Sequence, residues 1–494
     1  MPQFRFPDGE TVTTTSTEYS TQLRQYFDAH GHAIIDAGRG NPGGYPASVK
    51  GIVAGIEHLE ARRRASTGYG YSGGEYPESP RIAQNLNRLY GTKNFVDEKG
   101  LFYTTGEIEA LNTIARSLPA DSRVITPYPH YVNYPGIFSG EHGKARLLPM
   151  PHDGTNLVKR LRNTLEHAPS ASAILICDPN NPTGTKLSAQ EWRDIFALVQ
   201  TEREHHPSLK FILDFAYYGL SNDWQEVDGK KKLAVEPLKI LQDEYLAIKE
   251  NVILLQSLTK VGGLFDERPC VSYIADASFR KHMLQHRTEG TFEPAATSVS
   301  IVSGVLEDLV TTDRLAAMSK YYGERAKMIE GTLSELGMLT NPWQGSLYVT
   351  ADLKGLYGSK LSAEAAKWVG HNTIQNDFDI MAGLAYPADK SKTGILTSLV
   401  DPIKGDTELV RVCVGIQDLN DVKKLQETLN SLAPELGRDR QSFDSNEDVE
   451  ELVEVGRVSS NQILEEFQGW NRIIKLADHQ FSSDSDPLVK RKAA

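Results

Sequence analysis

Three cysteines in 494 residues are too few for a disulfide framework. Cys177, Cys270 and Cys413 sit in or beside apolar runs and show no metal-ligand spacing, so they read as buried thiols serving as small apolar side chains. No stretch approaches the ~18 consecutive apolar residues that a membrane span needs. The opening MPQFRFPDGE has no basic segment leading into an apolar one and does not read as a secretory signal. These absences place the chain in a reducing, soluble compartment, the cytoplasm. Excess positive charge is missing as well. With 65 acidic against 53 basic residues the formal net charge is −12, which excludes a surface built for nucleic-acid phosphates. There are no internal repeats, and no G-x-G-x-x-G opens a helix, so the Rossmann dinucleotide fingerprint is excluded. What remains is an ordinary globular composition, 39% hydrophobic and 24% charged. The length has room for one large α/β domain and a smaller companion.

Strand and helix patterns alternate from about residue 100 to 275, which predicts a largely parallel sheet. The strands fall at 101–103, 124–126, 173–177, 211–213 and 252–255, each short, apolar and closed by a turn signal. Before them, Tyr19, Leu23, Tyr26 and Phe27 recur at helical spacing in an N-terminal arm, and IIDAGRGNPGGYP (34–46) and GYGYSGGEYPESP (68–80) are glycine-rich loops. After residue 275 the texture becomes α+β: helices at 298–310 and 314–336, a strand at 346–353, a helix at 363–369 and a strand at 408–416. Residues 435–450 are charged and loop-like. Ile463, Phe467, Trp470 and Ile474 then form one helical stripe, read as packing against the body or a partner chain. The expected division is an arm over 1–46, a large domain over 47–290, a small domain over 291–434 and an extension over 435–494.

In parallel sheets ligands gather at the carboxyl ends of the strands. The residues with chemical potential cluster there. Lys260 follows the 252–255 strand, where desolvation would lower its pKa and favour a nucleophilic amine. Ser257 and Arg268 flank it with a hydroxyl and a planar fork of donors suited to phosphate. TTGE (104–107) joins a strand to a helix whose free N–H groups could face an anion. Tyr131 offers a flat ring face, and DPNNPTG (178–184) holds Asn181 in a restricted turn. Asp214 ends a buried strand and needs a partner, Tyr217 follows it, and Arg411 lies inside an apolar strand where it calls for an anion. Each alone has a plainer alternative: a chance Ser-x-x-Lys, an ordinary βα turn, a packing tyrosine, a structural salt bridge. Their common placement at strand ends is what outweighs those alternatives.

DPNNPTG, DFAYYG and LTKVGGLFDER, in this order, resemble motifs of the class I/II aminotransferases, pyridoxal-phosphate enzymes of fold type I, over about residues 35–420. The resemblance implies a mostly parallel seven-stranded sheet between helices, plus a smaller α+β domain. It implies that Lys260 forms the Schiff base with pyridoxal 5′-phosphate and then moves the substrate proton. Asp214 would pair with the ring nitrogen, Tyr217 and Asn181 with the phenolic oxygen, and Tyr131 would stack on the ring. The phosphate would be held by backbone at Gly106, Glu107 and Ile108, by Ser257 and Arg268, and by Tyr69 of a second subunit in a homodimer. Arg411 would clamp the substrate α-carboxylate, with Asn181 and backbone near Gly40 assisting. The implied reaction moves an amino group from an L-α-amino acid to a 2-oxo acid, without metal, nucleic acid or membrane. Decarboxylation, β- or γ-elimination and amino-acid oxidation use the same cofactor and stay open. A non-catalytic regulator on this fold would need a DNA-binding module, and no basic helix-turn-helix is present. Two departures stand out. Glu107 occupies a position where the family usually has a small residue, so its carboxylate must point away or be paired. DFDIMAGLAYPAD (377–389) lacks the family's usual Pro-Gly. Arg287 lies near where aspartate-specific members place an arginine for the distal carboxylate.

Overall fold

The five runs at 101–103, 124–126, 173–177, 211–213 and 252–255 assemble into one sheet in the computed structural model, joined by two strands not expected from the sequence, 146–151 and 269–274. The structure describes residues 3–5, 9–13, 16–38, 40, 45–65, 76–140, 145–151, 157–168, 171–290, 294–387, 391–399, 409–416 and 418–431. The chain divides into a compact unit over Met1–Ala433 and a second over Pro434–Ala494. All described elements belong to the first, and the 435–450 segment and the Ile463, Phe467, Trp470, Ile474 stripe lie outside the described residues.

The sheet strands are β1 (Leu101–Thr105), β2 (Arg123–Tyr128), β3 (Arg146–Pro151), β4 (Ala171–Cys177), β5 (Lys210–Asp214), β6 (Val252–Ser257) and β7 (Pro269–Ile274). Their spatial order is β1-β7-β6-β5-β4-β2-β3. Every pairing is parallel except those of β7, which runs against both β6 and β1. Such a sheet is buried on both faces, which is why its strands read as continuous apolar runs and not as alternation. Val252, Ile253, Leu254 and Leu255 on β6 are all at most 1% exposed, each contributing roughly 1.5–3 kcal/mol of burial. The helix Ala189–His205 covers one stretch with Trp192 and Phe196, both fully buried, and starts from a Ser188/Glu191 capping box.

Helix α1 (Val49–Ala65) packs closely on α3 (Ala296–Thr311), and α2 (Glu107–Ser117) follows β1 directly. A Cβ on Gly304 would lie 2.1 Å from the carbonyl oxygen of Gly51, so only glycine lets α1 and α3 approach this far. The α1 face opposite α3 leaves Val49, Val53 and Ile56 exposed by 63%, 49% and 53%.

A second, three-stranded antiparallel sheet has the order β8-β10-β9, from β8 (Tyr348–Asp352), β9 (Ser398–Leu399) and β10 (Leu409–Cys413). Its register sets Arg411 opposite both Thr350 and Ser398. The strand Ile34–Asp36 pairs in parallel with Gly394–Leu396, and Ala37 then bonds to Leu396 and Cys413. This stitching carries Gly38 and Gly40 to the neighbourhood of Arg411. In the N-terminal arm the helix Ser16–Ala29 buries Leu23 and Phe27. The stretch without Pro-Gly is a helix, Asp377–Ala385, started by an Asn376/Asp379 capping box. Among the described residues no helix is long and apolar enough to cross a membrane.

Candidate active site

Strand register decides which residues meet. Asp214 lies opposite Cys177 of β4 and Leu255 of β6, at the carboxyl edge of the sheet. Ser257 lies opposite Cys270, and Pro269 opposite Thr105. Because β7 is reversed, its first residues, preceded by Arg268, stand at the same edge as the last residues of β1 and β6. Gly106 takes φ +86 at the N-cap of α2, a conformation open to glycine, and a Cβ there would lie 3.0 Å from Arg268 Nε. The first-turn N–H groups of α2 have no helical carbonyl within reach and carry the positive end of its dipole. Arg268 itself adopts a left-handed backbone, φ +47, which costs strain in a non-glycine residue.

These edges close a cavity of about 540 Å³, within the range of small-molecule sites. Its lining includes Gly40, Glu107, Ile108, Tyr131, Asn181, Asp214, Tyr217, Ser257, Lys260, Arg268 and Arg411. Gly106 stands just behind, against Arg268, whereas residues 39, 41–44 and 68–75, Tyr69 among them, lie outside the described residues.

Lys260 projects from the turn after β6 and donates to the Gly40 carbonyl. Burial pushes its amine down to about 8, with the Arg411 and Arg268 charges acting in the same direction. Asp214 receives the Tyr134 hydroxyl on one oxygen and the Ala216 N–H at 3.1 Å on the other. Among the described residues no cation pairs with it. Asn181 donates to the Tyr217 hydroxyl at 3.4 Å, and Tyr217 meets the Tyr348 hydroxyl at 3.0 Å. Burial, reinforced by Tyr348, pushes the Tyr217 phenol far up, so it acts as a neutral hydrogen-bonding group.

Arg411 has a polar cradle and no acid. It donates to Asn181 Oδ1 at 3.0 Å and to the Gly38 carbonyl at 2.8 Å, and its guanidinium carbon lies 4.3 Å from the Tyr348 ring centre. Its Nε is buried without an acceptor, and no carboxylate pairs with it among the described residues. A buried guanidinium that lines the cavity and keeps an unused donor suits an incoming carboxylate.

Sequence reasoning did not single out Tyr134, which buttresses Asp214, or Tyr348, which contacts both Tyr217 and Arg411. Tyr134 stands three residues from Tyr131 at the start of the helix Tyr134–Ser139, a spacing that could have flagged it. Nothing local marks Tyr348. Arg287 is corrected: it is 1% exposed, donates to the Tyr103 carbonyl at 2.9 Å and lies over the Phe102 ring, away from the cavity lining. Its position in the helix Ala277–Gly290 points it into the core between helix and sheet. Cys270 and Cys413 are buried, while Cys177 is partly exposed on the cavity, and all three are free thiols. Glu107 does not point away: its side chain enters the cavity beside Asp214.

A desolvated lysine, a strand-end carboxyl, paired hydroxyl and amide donors, and a helix N-terminus beside Ser257 and Arg268 fit a ring with an aldehyde, a basic nitrogen, a phenolic oxygen and a phosphate. Fold and site thus define a lysine-anchored pyridoxal-phosphate enzyme of fold type I. Residues 54–380 match the family "Aminotransferase class I and II", and the chain belongs to that family of pyridoxal-phosphate-dependent enzymes. YugH of Bacillus subtilis is 25% identical over 70% of this chain and 85% of its own length. Histidinol-phosphate aminotransferase of Bacillus velezensis is 32% identical over 25% of this chain, a match spanning 32% of that enzyme's length. The aspartate aminotransferase of Thermus thermophilus solved with maleate superposes with a TM-score of 0.67 at 15% identity, covering 85% of this chain and 96% of that one. At that identity the likeness bears on the fold alone.

Proposed function

We propose that the protein transfers the amino group of an L-α-amino acid to a 2-oxo acid, using Lys260 as the cofactor-anchoring and proton-carrying base and Arg411 as the seat of the substrate α-carboxylate. The observation that carries this reading is Arg411: buried on the same cavity as Lys260, with a spare donor and no acidic partner among the described residues. Pyridoxal phosphate bound in the cavity supplies an electron sink that acidifies the substrate Cα–H. Lys260, once released from the cofactor, takes that proton, and its lowered pKa suits both roles near neutral pH. Asp214, oriented by Tyr134 and Ala216 N–H, holds the proton on the ring nitrogen. Asn181 and Tyr217 donate to the phenolic oxygen, and Tyr131 covers the ring. Ser257, Arg268 and the backbone of Gly106, Glu107 and Ile108 hold the phosphate, with Tyr69 of a second copy. Asn181 also steadies Arg411, and Gly40 brings backbone to the substrate side.

The test is a half-reaction. Each amino acid of a panel is added to the loaded enzyme without an acceptor, while the cofactor's visible band is followed. Conversion to the pyridoxamine form, one-for-one with a 2-oxo acid, is expected. Release of ammonia or carbon dioxide in its place would overturn transamination. In the same assay Arg411→Leu should lower the second-order rate constant of the half-reaction by the equivalent of about 2–5 kcal/mol, mainly through weaker amino-acid binding.

The homodimer belongs to this proposal. Val49, Val53 and Ile56 recur at one face of α1 and are exposed in the single chain, a stripe that a second copy would cover. The protein should sediment at twice its 54.7 kDa, and Val53→Glu with Ile56→Glu should shift it toward monomer with loss of activity. A fully active wild-type monomer would contradict both the dimer and the role of Tyr69. Three free cysteines are compatible with a reducing compartment such as the cytoplasm.

A further inference from the structure

Glu107 has a use that the rest of the site leaves unexplained. It is the first residue of α2, so its own N–H is among those assigned to the phosphate, while its side chain turns into the cavity. There the carboxyl lies beside Asp214 on the same cavity, and its Oε1 is buried with no donor. A second carboxyl beside Asp214 and beside a phosphate seat is tolerable only if it is neutral, since like charges in so confined a space repel strongly.

We propose that Glu107 makes retention of the phosphorylated cofactor depend on pH, the site gripping the phosphate while this carboxyl keeps its proton and loosening as the proton is lost. The inference rests on the placement of the phosphate at α2 given above.

Burial is the main reason Glu107 titrates well above the usual carboxyl range, and the Asp214 charge raises it further; Lys260 and Arg268 pull it back. The other ionisable groups around it are the phenols Tyr90, Tyr131 and Tyr134 and the thiols Cys177 and Cys270. Burial raises all of these above their ordinary values, so they stay neutral through the physiological range. The sign follows. A group that must be protonated for binding gives strong binding below its pKa and a loss of about tenfold per pH unit above it. Phosphate is already a dianion above pH ~7, its second pKa being about 6, so an affinity lost at higher pH does not come from the phosphate group itself.

The probe is pyridoxamine 5′-phosphate, which forms no imine with Lys260, titrated by fluorescence into the apo dimer between pH 7 and 9. Wild type is compared with Glu107→Gln and Glu107→Ser. Titration of the probe is common to all three proteins, but the Glu107 charge also raises the Lys260 pKa, so the three are compared in a Lys260→Ala background and the difference between curves then reports Glu107. The Kd with Glu107 in place should rise with pH more steeply than that of either variant, approaching about tenfold per pH unit once the carboxyl ionises. Parallel curves with tight binding would overturn the proposal and leave the phosphate seat standing. Absence of binding by all three proteins at every pH would overturn both. If one variant does not fold, the other carries the comparison.

Discussion

Lys260→Ala should abolish amino transfer, with kcat reduced by about 10⁴-fold or more, because the proposed role gives one amine both the anchoring of the cofactor and the carrying of the proton. Borohydride treatment of the wild-type protein with pyridoxal phosphate should add the reduced cofactor's mass to the peptide containing Lys260, and the variant should add none. Labelling of another lysine, or amino transfer by the variant within tenfold of wild type, would defeat the assignment. The pH dependence is set by the same residue. The amine attacks only when neutral, and burial holds its pKa at about 8. The rate of cofactor attachment at saturating cofactor should therefore rise with pH and level off above about 8. An ordinary lysine would continue to gain until about 10.4. The cause is local: Val252–Ser257 is wholly buried, and the lysine leaves that strand with only the Gly40 carbonyl as its described acceptor.

Asp214→Asn should cost about 10²–10³-fold in kcat/KM while leaving the cofactor attached to Lys260, because the substitution keeps the shape and removes the charge that steadies a protonated ring nitrogen. The measurement is steady-state kinetics beside the visible spectrum of the loaded enzyme. An unchanged rate would mean that the ring nitrogen does not rely on this residue. Tyr134 and Ala216 N–H already occupy the carboxyl, so the introduced amide would face two donors with one acceptor oxygen, and part of the loss would come from misorientation. That part is separable, because misorientation also moves the spectrum of the bound cofactor.

Much of this site could be read from the chain alone, for a reason visible at Lys260, Asp214, Asn181 and Ser257. Each stands at or just after the end of an apolar run, and a buried parallel sheet presents such positions along one edge. The strand periods, the glycine after β1 and the order of the motifs are local features, carried by residues a few positions apart. What the sequence by itself determined is therefore the α/β sheet, the edge where the chemistry sits, and the residue types that sit there. Arg411 was legible only as a charge in need of an anion. That Asn181, the Gly38 carbonyl and the Tyr348 ring cradle it without a carboxylate was decided by pairing between distant strands. Tyr348 came from β8 with nothing local to mark it, and Tyr134 came from a short helix where only its spacing from Tyr131 hinted at a role. Arg287 went into the core because its helix turns that face to the sheet, and Glu107 turned inward toward Asp214. Side-chain direction depends on which surfaces close over a residue, and those surfaces exist only once segments hundreds of residues apart have packed together.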